Sequence, residues 1–168
     1  MTALSFAVGA QDAQLPRDFD FLDARYNCTY TGYDQEGKAG PGFPCVWSGR
    51  YTFNGRMFQD DFVMYNLDGV EVFSGTTLRT WSPQLERWEM VFLGSNQAAT
   101  WMPFHGLAVD DEIVISNSGE DQQGPFIGKI RFFEIGDHGF TWDLHRSHDQ
   151  GATWVKSGEI VARKPTSP

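Results

Sequence analysis

"MFQDDFVMY", residues 57–65, decides how this chain folds. Along an extended strand alternate side chains point to opposite sides. Phe58, Asp60, Phe62 and Met64 therefore share one face, and Gln59, Asp61, Val63 and Tyr65 the other. Neither face is plainly polar or plainly apolar, as the faces of a strand half-covering a solid core should be. "VFSGTTLRTW", 72–81, mixes its faces in the same way: Phe73, Gly75, Thr77, Arg79 and Trp81 oppose Val72, Ser74, Thr76, Leu78 and Thr80. Such mixing suits a barrel whose interior holds a ligand, with a few polar groups set among aromatic rings.

Outward from these two runs the sequence keeps the same character. Runs rich in β-branched and aromatic residues predict about ten strands, at 25–33, 44–54, 57–66, 71–82, 87–95, 97–102, 111–117, 125–135, 139–148 and 153–163. "NGR", "LDGV", "SPQLER", "SGEDQQG", "GDHG" and "DQGA" read as hairpin turns. Only "PRDFDFLDARY" suggests a helical turn, opened by Pro16 and capped by Asp18. The expectation is an all-β fold, a single antiparallel up-and-down β-barrel spanning 18–164. Residues 1–17 read as an N-terminal arm and 165–168 as a C-terminal tail.

Composition narrows the partners. The chain has 168 residues, 15% of them aromatic, with six Trp and fourteen Phe, which supports a dense core or an aromatic-lined cavity. A formal net charge of −9 disfavours nucleic acid and an anionic membrane surface as partners. "MTALSFAVGAQDAQ" lacks a basic n-region, and its apolar stretch is too short for a signal peptide or a membrane span. It reads as an arm packing on the body or on a neighbouring subunit, so a homodimer is conceivable and the expected location is cytoplasmic. Cys28 and Cys45 flank a Gly- and Pro-rich connection and could face each other across a hairpin. In a reducing compartment the expected state is two buried thiols.

Three stretches together resemble a lipocalin-like, calycin-type barrel family of largely uncharacterised bacterial proteins. "FDFLDARY", 19–26, looks like its opening segment, with Ala24 and Tyr26 where Gly and Trp are more usual. "NGRMFQDDF" followed by "SGTTLRTWSPQLERWEMVF" is similar to its central pattern, and "SHDQGATW" to its closing Ser-x-Asp-Gly-Gly-x-Thr-Trp turn. The resemblance covers about 18–163 and implies a barrel with a central cavity. It implies no activity, since carriers and cofactor-free enzymes share such folds. His145 stands where the family pattern has Glu, and Gln150 replaces the first turn glycine.

Most catalytic chemistries find no footing. His105, His138, His145 and His148 have no spacing that puts two on one face of an element, so no metal is expected. There is no Gly-x-Ser-x-Gly elbow, and "GKAGPG" lacks the spacing of a phosphate loop, so no cofactor is expected. Acid–base chemistry remains. In "FTWDLHRSHDQGATW", 140–154, Thr141, Asp143, His145 and Ser147 share one strand face, and Trp142, Leu144 and Arg146 the other. If the polar face lines the cavity, His145 is a proton carrier that titrates near neutrality. If it meets solvent, Trp142 and Leu144 are core.

The sequence thus leads to the expectation of a barrel that takes a small apolar, aromatic molecule. The leading reading is a cofactor-free lyase or isomerase in which His145 and Asp60 move a proton while Arg79, the natural counter-ion of Asp60, stabilises developing negative charge. A structural role for that ion pair, closing one end of the barrel, competes with it. Tyr65, Trp81, Trp88, Trp101, His105, Arg131 and Asp143 are further candidate ligand-binding residues. The alternative function is a non-catalytic carrier for a hydrophobic ligand.

Overall fold

The structure, a computed structural model, describes residues 15–95 and 102–166. Ten strands run antiparallel in sequence order: β1 (Arg25–Tyr33), β2 (Ala39–Thr52), β3 (Met57–Tyr65), β4 (Glu71–Ser82), β5 (Arg87–Gly94), β6 (Met102–Val109), β7 (Glu112–Asp121), β8 (Gly124–Gly136), β9 (Gly139–Ser147) and β10 (Val155–Arg163). Each pairs with the next, and β10 returns to β1, so the barrel is closed and has no free edge. Among the described residues no helix is long and apolar enough to cross a membrane.

Three expectations need correction. β6, Met102–Val109, was not among the expected strands, and the strand expected at 97–102 falls on described residues only at Met102. Pro103 and Gly106 hide β6 in the sequence, and 96–101 lie outside the described residues. β2 begins at Ala39, within a stretch that looks like a loop. Its Gly- and Pro-rich start still continues the ladder, Thr29 opposite Pro44 and Thr31 opposite Gly42, up to a bulge before Tyr33. The cysteines are not thiols. Cys28 and Cys45 are direct cross-strand partners with Cα atoms 4.8 Å apart, and they form a disulfide. The bond closes a hairpin with a sequence separation of 17. Replacing both by Ala should cost about 3 kcal/mol through the freed unfolded chain, read from a urea titration. A loss below about 1 kcal/mol would remove the disulfide from any account of stability.

One end of the barrel is plugged. The expected helical turn is a single 3-10 turn, Asp20–Leu22, preceded by Phe19 with no side-chain cap. Asp18 does not cap it; its carboxylate accepts a hydrogen bond from Trp88 Nε1 at 2.8 Å. Phe19 and Leu22 are fully buried. The Phe19 ring meets Trp88 edge-on at 5.0 Å, lies 5.8 Å from Phe58 and meets Phe132 at 6.2 Å. Gly49 makes room for this insertion: a Cβ there would stand 2.5 Å from the Leu22 carbonyl oxygen and 2.6 Å from the Phe58 ring. Its N–H instead donates to the Ala24 carbonyl at 3.0 Å.

Candidate functional site

Above the plug the barrel is hollow. The cavity measures about 360 Å³, within the range of roughly 300–1,000 Å³ usual for small-molecule sites. Alternation along each strand fixes its wall. β3 contributes Asp60, Phe62 and Met64, β4 contributes Phe73, Thr77 and Arg79, and β5 contributes Met90 and Phe92. Trp47, Ile130, Phe132 and Trp142 complete much of the apolar surface. The two mixed faces of the sequence are therefore inner faces. Flexible, polarisable Met side chains among fixed rings let such a wall adapt to a guest.

The floor holds a buried ion pair. Asp60 and Arg79 are 1% and 3% exposed and form an ion pair through Asp60 Oδ2 and Arg79 Nη1. Trp47 Nε1 donates to Asp60 Oδ1 at 2.6 Å. The guanidinium lies 4.6 Å above the Phe19 ring, a cation–π contact in a desolvated site. Burial pushes the Arg79 pKa down to about 9, so the group stays cationic at neutral pH. Its Nε has no acceptor among the described residues.

His145 is elsewhere. Trp142, Leu144 and Arg146 of β9 face the cavity, so Thr141, Asp143, His145 and Ser147 lie on the outer face. That face is nonetheless covered. Asp143 is 2% exposed and takes two hydrogen bonds from Arg131, Nε to Oδ1 at 3.1 Å and Nη2 to Oδ2 at 2.5 Å. His145 Nδ1 stands 3.5 Å from the same carboxylate. Desolvation holds the imidazole below its usual value, and the nearby Arg131, Lys156 and Lys129 add to this while Asp143 opposes it. Arg131, Asp143 and His145 thus form an outer-wall network away from Asp60 and Arg79.

The remaining candidates scatter. Trp81 and Trp88 pack edge to face at 5.9 Å near the plug, and Trp88 is fully buried there. Tyr65 follows a bulge at the end of β3, opposite Glu71, and does not line the cavity. His105 lies between Phe104, which lines the cavity, and Gly106, and so points the other way. Trp101 is outside the described residues. No group of three or more His, Cys, Asp and Glu among the described residues could hold a metal.

Among the inner residues outside the candidates, two polar ones stand near the mouth. Arg146 and Asn117 both line the cavity. The signal for Arg146 was present, since it shares a strand face with Trp142 and Leu144. Arg146 also belongs to the mouth, a wider depression whose lining includes Tyr33, Asp121 and His148.

No family model matches this chain, and no curated protein does. Among solved structures it is similar to the crystal structure of Rv2717c from M. tuberculosis, at 11% identity and a TM-score of 0.59. The match covers 90% of this chain and 99% of that one. At that identity the likeness is one of fold.

Proposed function

We propose that this barrel binds one small, largely apolar, aromatic molecule in its cavity. The observation that carries the reading is a closed barrel whose hollow interior is walled by rings and thioethers, with its carboxylate already paired to Arg79 at the floor. An apolar guest there replaces unfavourable hydration of the wall with close contact. Trp47 and Trp142 stand in the wall, so a bound aromatic should change their fluorescence. Titration with 2-naphthol is expected to give saturable quenching, and Ile130→Trp, which fills the cavity from β8, is expected to abolish it. Quenching that never saturates, or that survives Ile130→Trp, would remove the reading.

The acid–base enzyme reading, lyase or isomerase, keeps a narrower footing. It rests on Asp60 and Arg79 alone, because His145 lies on the outer wall. Asp60→Asn tests it: turnover of a bound aromatic substrate should vanish while 2-naphthol still quenches. Turnover surviving that change would leave the carrier reading.

A further inference from the structure

We infer that the ligand carries an anionic head, a carboxylate, and that Arg146 receives it at the top of the cavity. This deepens the binding reading and rests on it. Arg146 projects inward from β9 and is shared by the cavity and the mouth, so its guanidinium marks the boundary between apolar wall and water. The group is fixed in place. Asp121 Oδ2 accepts from Nη1 at 3.1 Å, and the guanidinium lies 4.7 Å over the Phe126 ring. Asp121 is itself fastened by the Gln123 N–H at 2.9 Å and faces His148 Nε2 at 3.0 Å.

A guanidinium has five N–H donors, and Asp121 engages one nitrogen. Arg146 Nε is buried and has no acceptor among the described residues. The side chain is still 37% exposed and lines both the cavity and the mouth, so part of it is within reach of a guest. Next to it in the register stands Gly128, and beyond Gly128 stands Asn117. A Cβ on Gly128 would fall 2.0 Å from Asn117 Oδ1, so the missing side chain is what lets the amide lie beside Arg146. Asn117 Oδ1 is likewise buried without a donor. A guanidinium with donors to spare, set over an apolar hollow, matches a molecule with an apolar body and a carboxylate at one end, while the Asn117 acceptor can serve only a donor such as Arg146 itself.

The two probes for the test are 2-naphthoate and its neutral analogue 2-naphthamide, titrated at pH 7 by tryptophan quenching. The carboxylate is expected to bind about tenfold or more tightly than the amide, as charge-assisted bonds to a half-buried guanidinium should give. Arg146→Met should erase that preference, and Arg146→Lys, which keeps the charge but not the fork, should retain part of it. Circular dichroism and a melting curve establish that each variant is folded; if Arg146→Met is not, the reduced preference in Arg146→Lys decides. Equal binding of both probes to the parent protein, or a preference that survives Arg146→Met, would overturn the head-group assignment and leave the cavity reading standing. If neither probe binds, both fall together.

Discussion

Replacing Arg79 with Met is expected to lower stability by about 3–5 kcal/mol, because it strands the Asp60 carboxylate in the barrel floor. Among the described residues the Asp60 carboxylate would retain only the Trp47 Nε1 hydrogen bond. The magnitude follows from what an uncompensated buried charge costs, not from the worth of the intact pair, which desolvation largely offsets. The double variant Asp60→Leu, Arg79→Met should therefore be less destabilised than the sum of the two single changes, although it leaves Trp47 without its acceptor. Urea titrations of the four proteins give the coupling directly. Additive losses would mean that the two groups do not act as a pair.

Phe19→Ala is expected to cost a similar amount, about 3–5 kcal/mol, as for other fully buried Phe side chains. The ring packs against four others and lies beneath the Arg79 guanidinium, so its removal opens a cavity and takes away the cation's nearer aromatic partner. Neighbouring side chains that project from separate strands cannot easily collapse into the gap, which favours the upper part of that range. The denaturation midpoint reports it. A loss under about 1 kcal/mol would show that the 3-10 turn merely rests on the barrel.

Much of this arrangement was legible in the residues themselves. Period-two alternation placed Phe58, Asp60, Phe62 and Met64 on one side and put Arg79 on the corresponding side of β4, and those sides meet across one cavity. Alternation gives two sides but does not say which is the inside. In β9 the all-polar outer side is the more buried one: Thr141, Asp143 and Ser147 are buried, Asp143 beneath Arg131, whereas Trp142, Leu144 and Arg146 on the cavity side are only partly so. That concealed the position of His145. β6 was illegible for another reason: its closed-barrel neighbours supply hydrogen bonds that hold a Pro- and Gly-containing segment extended against its local preference. The disulfide depends on register, and no count of intervening residues fixes register across a bulge.

The aromatic stopper at the base makes the barrel a cup and not a tube. Among the described residues the open end is the mouth bordered by Arg146 and Asp121, so a guest bound as proposed would enter and leave by the same doorway. On that reading the rim would set the residence time and the wall the shape of the guest. Loss of the segment carrying Phe19 and Leu22 would open the barrel at its base as well and make the cup a tube.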